Sequence, residues 1–141
     1  MDESDTNKVS KIILLRNHRI LLLFSNKLQK FQFPGGHLEV GETHLNALKR
    51  ELKEETNLDL KDNRIFFKKP NYVLYYGHAF PGVVKISDEH TKYVWASYED
   101  ILKYPLCKFT YRDATTFLKY KFPNKNKKKD QNDLEDESEI G

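Results

Sequence analysis

The chain has 141 residues, 38% hydrophobic, 32% charged and 13% aromatic, enough for one domain with a core of its own and too aromatic for disorder over most of its length. No apolar run is long enough to span a bilayer, and the single cysteine, Cys107, excludes an internal disulfide and a cysteine-based zinc site. The net charge of +3, from 24 basic and 21 acidic residues, points to no partner by itself; its distribution says more.

Met1-Asp2-Glu3-Ser4-Asp5 is acidic and lacks the basic start and apolar stretch of a secretory signal, which predicts a reducing, cytoplasmic setting. Residues 1–7 read as a flexible N-terminus and 8–122 as the folded domain. Val9 to Leu15 and Arg19 to Phe24 are β-rich apolar runs joined by Asn17-His18, the pattern of a hairpin. Phe31-Gln32-Phe33 reads as a strand that Pro34-Gly35-Gly36 turns into a loop. Thr43 to Asn57 contains no Gly or Pro, and Leu45, Ala47, Leu48 and Leu52 recur at helical spacing, so an amphipathic helix with Thr43 as its cap is expected. Arg64 to Lys68, Asn71 to Phe80, Val83 to Ile86 and Thr91 to Ser97 read as strands, and Tyr98 to Tyr104 and Thr110 to Phe122 as helices. Strands before and after one strong central helix suggest an α+β sandwich. Residues 123–141 combine Lys125, Lys127, Lys128 and Lys129 with six acids and few large apolar residues, a composition expected to stay disordered.

The chemistry concentrates on the central helix. Glu51, Glu54 and Glu55 stand at i, i+3 and i+4 and share one face, where they repel each other unless a cation sits among them. A hard divalent cation with oxygen ligands answers that requirement better than the flanking Arg50 and Lys53, although a solvated charged face has the same pattern.

The preceding loop decides the weighing. Gly36, Glu42, the run Arg50-Glu51-Leu52-Lys53-Glu54-Glu55 and Leu58 resemble the Nudix (MutT-like) box, G-x5-E-x7-R-E-U-x-E-E-x-G-U with U bulky and apolar. The departure is Asn57, where the family has glycine; asparagine is the next best residue for a left-handed helix end. The resemblance implies a mixed sheet sandwiched between helices, an α/β/α arrangement with the box as loop-helix-loop. It also implies hydrolysis of a nucleoside diphosphate linked to a group X, by water attack on phosphorus with Mg²⁺ or Mn²⁺ as cofactor. Such chemistry needs neutralised phosphate oxygens and a positioned water. By the same resemblance Glu51, Glu54 and Glu55 are metal ligands, joined by the carbonyl of Gly35. Glu42 and Arg50 orient these carboxylates, Arg50 through a guanidinium fork. Glu51, Glu54, Arg50 and Glu89 form the catalytic set.

Asp88-Glu89-His90 precedes Tyr93-Val94-Trp95, similar to a Glu-His followed by an aromatic-x-Trp strand in many Nudix proteins. There the glutamate often reaches the metal from a loop, a role Glu89 shares with the alternative of a solvated carboxylate. His90, Trp95 and Cys107 read as structural residues. Phe33, Tyr76, Tyr93 and Tyr111 are candidates for contact with a nucleobase, with Phe31 and Tyr98 behind them. The short chain resembles compact members acting on nucleoside triphosphates or dinucleoside polyphosphates. The alternatives are an RNA 5′-end or cap hydrolase holding RNA through Lys125, Lys127, Lys128 and Lys129, and a Nudix module that binds nucleotides without cleaving them.

Overall fold

A computed structural model describes residues 7–123. Strand β1 (Val9–Arg16) turns into β2 (Arg19–Ser25) through Asn17 and His18, at φ 50° and 64°. Two successive left-handed residues are what a two-residue hairpin turn demands, because its twist then matches that of the strands. There follow β3 (Lys30–Gln32), β4 (Gly35–His37), helix α1 (His44–Thr56), β5 (Leu60–Lys69), β6 (Tyr72–Ala79) and β7 (His90–Ser97). A 3-10 turn at Ile101–Lys103 and helix α2 (Lys108–Lys121) complete the described residues.

The strands form one mixed sheet with β1 at its centre. β1 runs parallel to β6 over Val9 to Leu14 and antiparallel to β2 at Leu15 and Arg16. On the side away from β6, its first residues pair with β4, Lys11 opposite Gly35. β5 pairs with β6, and β2 carries both β3 and β7. Side chains of β1 alternate between two apolar layers. Ile12 and Leu14 pack with Leu48, Leu52 and Leu58 from α1 and its end. Ile13 and Leu15 pack with Phe31, Phe33, and Ala114 and Phe117 of α2. The sheet is thus covered by a helix on each face, the expected sandwich.

Four local expectations change. Gly35 and Gly36 lie in a short strand rather than a loop, because β1 has a free edge there and pairs with them. The strand expected at Arg64 to Lys68 starts four residues earlier, at Leu60. Val83 to Ile86 is not a strand. Only Val84 of its four residues is fully buried, and the backbone is drawn to the end of α1: Lys85 N–H donates to Thr56 O and Ser87 N–H to Glu55 O. Those carbonyls have no partner within the helix, so the loop supplies one. Tyr98 to Tyr104 shrinks to the 3-10 turn, since Pro105 disfavours helical backbone at the residue before it. The charged stretch with Lys125, Lys127, Lys128 and Lys129 lies outside the described residues.

Candidate active site

Helix α1 is held at both ends by its own sequence. Thr43 Oγ1 accepts the Asn46 N–H at 3.1 Å. Asn57, at φ 69°, ends the helix in the left-handed conformation while its N–H donates to Lys53 O. With Ala47, Leu48 and Leu52 buried against the sheet, the three helix glutamates are fixed in rotation but meet three environments. Glu54 is exposed, Glu51 is partly buried, and Glu55 is only 6% exposed.

Arg50 ties the outer carboxylates together. Its guanidinium donates bidentately to Glu42, Nε to Oε2 at 2.8 Å and Nη2 to Oε1 at 3.0 Å. Nη1 reaches Glu51 and Glu54, each at 3.2 Å, and Nη2 also donates to His37 O. A planar fork with five donors can hold several carboxylates in one arrangement where an ammonium would hold them loosely. Glu42 is held below its usual carboxylate range by this hydrogen bond.

Two glycines let the helix carboxylates approach the sheet. A Cβ on Gly36 would lie 2.6 Å from the Glu51 carboxyl carbon, and one on Gly35 would lie 2.1 Å from the Ser10 carbonyl oxygen. Gly35 N–H donates to Glu55 Oε1 at 2.9 Å, so β4 holds the buried carboxylate by its main chain.

The loop before β7 brings the remaining acid. Its backbone is pinned to α1 through Ser87 N–H, and to the end of β2 through Asn26, which donates to Asp88 O and Glu89 O. As a result Glu55, Glu89 and His90 each place a ligating atom within 4.8 Å of the others. Burial pushes the Glu55 carboxyl up to about 8, and the charges of Glu51 and Glu89 act in the same direction; the Gly35 N–H and Lys11 oppose them. Burial also raises Glu51. His90 is 5% exposed, and its Nδ1 has no hydrogen-bond partner among the described residues. Glu55 and His90 are buried and Glu89 is exposed, so a buried carboxylate and an orphaned imidazole nitrogen face a solvent-accessible carboxylate, a group of donors chemically able to hold a cation.

This cluster forms one end of a cavity of about 990 Å³. Glu51, Glu55, Glu89 and His90 line the acidic end, Lys11 and Phe33 the middle. Beyond them lie Phe67, Lys69, Tyr72, Phe109 and Arg112. Arg112 is fixed there by Asp113, Nε to Oδ1 at 2.9 Å, with its guanidinium 4.8 Å from the Phe109 ring centre.

Of the residues singled out from sequence, Glu51, Glu55, Glu89 and Gly35 meet in this cavity; Phe33 borders it, but its side chain is 1% exposed and packed in the core, so its ring is not free to contact a base. Glu54 and Arg50 stand just outside, in the ion network. Tyr76, Tyr93 and Tyr111 do not line it. Tyr76 packs with Phe66, Phe117 and Tyr120, while Tyr93 and Tyr111 are largely exposed elsewhere. Cys107 lines the wall rather than simply filling a core. Lys11, Tyr72 and Arg112 were not anticipated. The available signal was Lys11 itself, a charge in a strand whose neighbours at alternate positions are apolar.

A model of the Nudix domain matches residues 6–120. The chain is 31% identical over 77 residues to an RNA pyrophosphohydrolase of Ruthia magnifica subsp. Calyptogena magnifica, covering 53% of this chain and 43% of that one. It is 28% identical over 95 residues to the asymmetrical bis(5′-nucleosyl)-tetraphosphatase of Sus scrofa, covering 57% and 65%. The chain thus spans between about a third and two thirds of the length of the curated relatives it matches. A MutT Nudix hydrolase structure from Burkholderia pseudomallei superposes with a TM-score of 0.66 at 24% identity, over 77% of this chain and 94% of that one, which shows a shared fold. With the family's domain matched over most of its length and its box standing on the helix that faces the cavity, the chain belongs to the Nudix family.

Proposed function

We propose that this chain hydrolyses a pyrophosphate bond in a nucleoside diphosphate linked to a further group, with a nucleoside triphosphate or dinucleoside polyphosphate as substrate. One observation carries the reading. The Glu55, Glu89 and His90 donors converge within 4.8 Å at one end of a cavity whose other end is aromatic and basic. That polarity suits a ligand with phosphates at one end and a flat, stackable base at the other. The tetraphosphatase of Sus scrofa acts, by its name, on a compound of this class.

The donor set fits Mg²⁺ or Mn²⁺. Carboxylate oxygens suit both, and His90 would add a nitrogen ligand better matched to Mn²⁺. Glu51 and Glu54 of the box and the carbonyl of Gly35, just before it, would be further ligands. When bound, such an ion neutralises phosphate oxygens and lowers the pKa of a coordinated water. The chain's own residues do the rest. Arg50 keeps Glu51 and Glu54 in place, Glu51 or Glu89 holds or takes a proton from water, and the Phe33 carbonyl anchors Lys11 in the middle of the cavity. A second reading, hydrolysis of an RNA 5′ end, is favoured by the similarity to the RNA pyrophosphohydrolase.

The test incubates the protein and Mg²⁺ or Mn²⁺ with nucleoside triphosphates, dinucleoside polyphosphates and 5′-triphosphorylated or capped RNA, and identifies the products. Turnover of the soluble nucleotides is expected. Turnover confined to RNA selects the second reading, and none on any substrate reduces the chain to a binding module. Glu55→Gln should lower kcat more than Glu54→Gln, roughly a hundredfold or more for Glu55, because Glu55 is buried in the cluster and Glu54 faces solvent. Equal effects would show that burial does not rank these carboxylates.

A further inference from the structure

Lys11 is the one ammonium enclosed in the middle of the cavity among the described residues. The sheet register gives its position. Across the strands at this level lie Gly35 on β4, Lys11 on β1, then Leu74 and Tyr72 on β6, then Phe67 and Lys69 on β5. Neighbouring strands are about 4.8 Å apart, so Lys11 stands one strand from the glycine that holds Glu55, one from Tyr72 and two from Phe67 and Lys69. Its stem packs along Gly35, and its Nζ donates to Phe33 O at 3.2 Å. An ammonium has three donors. The other two have no hydrogen-bond acceptor among the described residues, although desolvation makes that costly. Glu51 and Glu55 lie near enough to act on its charge without accepting a hydrogen bond from it.

We propose that Lys11 is a substrate-contacting residue that receives the phosphate on the nucleoside side of the scissile linkage. This rests on the hydrolase reading, and the position of the phosphate follows from the strand order. A ligand with its far phosphate at Glu55 and Glu89 and its base at Phe67, Tyr72 and Phe109 places the intervening phosphate over β1. There it meets a positive charge with two unused donors, in a low-dielectric wall where that charge acts strongly. The contact is made before and during reaction alike, so it contributes affinity rather than rate.

Two measurements test this on the full chain, with Lys11→Met, Lys11→Gln and Lys11→Arg. In chelator, calorimetry compares the monophosphates AMP, GMP, CMP and UMP with their nucleosides. Lys11→Met should weaken the best-bound monophosphate about tenfold or more and leave its nucleoside within about twofold, with Lys11→Arg between. With Mg²⁺, Lys11→Met should raise KM about tenfold at a kcat within about threefold of the parent. If the methionine variant does not fold by circular dichroism, Lys11→Gln keeps a polar stem without the charge and is read the same way. Monophosphate and nucleoside affinities that change together, or not at all, overturn the proposal, as does a parent protein with no preference for the monophosphate. Turnover with an unchanged KM in the variants sinks Lys11 and spares the hydrolase reading. Absence of all turnover sinks that reading, while the binding comparison still judges Lys11.

Discussion

At the scale of single residues, the two adjacent glycines of β4 should behave oppositely when given a side chain. Gly35 sits at φ 136°, and an added Cβ would strike the Ser10 carbonyl, which belongs to the central strand and cannot step aside. Gly35→Ala should therefore cost several kcal/mol, about the upper range of single substitutions. The atom facing Gly36 is the free end of the Glu51 side chain, which can swing away. Gly36→Ala should leave the midpoint of denaturant unfolding nearly unchanged and lower turnover about tenfold or more by displacing Glu51. An equal loss of stability in both would refute this division. His44 carries a pH effect of its own. Ser10 Oγ donates to His44 O at 2.9 Å and lies 2.8 Å from His44 Nδ1, so this hydroxyl holds the ring in place. Burial lowers the His44 pKa, and the charges of Lys8 and Lys68 add to it against the opposing hydrogen bond to the Pro70 backbone. The unfolded chain then binds the proton more readily. The contribution is whole above about pH 6.5 and is lost as pH falls below it. Unfolding midpoints from pH 8 to pH 5 should drop further for the parent than for His44→Gln; parallel curves would contradict the assignment.

At the scale of elements, α1 is the part most legible in sequence. Its start at Thr43, its apolar stripe and its left-handed end at Asn57 are each a local signal, and the box resemblance spans all three. Asn57→Gly should be neutral to within about 0.5 kcal/mol and leave kcat unchanged, whereas Asn57→Val, β-branched at positive φ, should lose about 1–2 kcal/mol. A large loss of rate in the glycine variant would reveal a use for the asparagine amide. The loop at 80–89 was illegible for a definite reason. Val83 to Ile86 has strand composition, but the N–H of Lys85 within it and that of Ser87 just after it are spent on the helix carbonyls of Thr56 and Glu55, a demand that arises only once the chain is folded. The aromatics misled in a similar way. Tyr76 satisfies the packing of α2 against the sheet, and nothing in its neighbours distinguishes that use from contact with a base.

At the scale of the whole molecule, the cavity draws on β1, β4, β5, β6, α1, α2 and the loop before β7, segments far apart along the chain. The helical half of the acidic end could be anticipated because Glu51 and Glu55 recur at helical spacing, and Glu89 only through the family resemblance, while His90 read as structural. The far end could not, since Tyr72, Phe109 and Arg112 become neighbours only through the strand order. If the acidic end holds a divalent cation, that ion is a ligand of the folded state alone and should stabilise it by about 2.7 kcal/mol at a hundred times its Kd. Adding Mn²⁺ to chelator-treated protein should raise the thermal midpoint of the parent and leave the double variant Glu55→Gln, Glu89→Gln unmoved. An equal rise in both would place the ion elsewhere. No helix among the described residues is long and apolar enough to cross a membrane.

The clamp between the loop and the end of α1 has a consequence for how such a site can diversify. Ser87 N–H to Glu55 O and Asn26 N–H to Glu89 O are bonds between main chains, blind to the side chains at positions 55 and 89. The two halves of the donor cluster are therefore registered by parts that substitution at those positions does not alter. Ligands can be exchanged like jaws in a fixed vice: a different acid, an amide or a second imidazole could be tried at 55, 89 or 90 while the frame keeps its spacing. Selection for another ion, or for none, could proceed there one residue at a time without first rebuilding the fold.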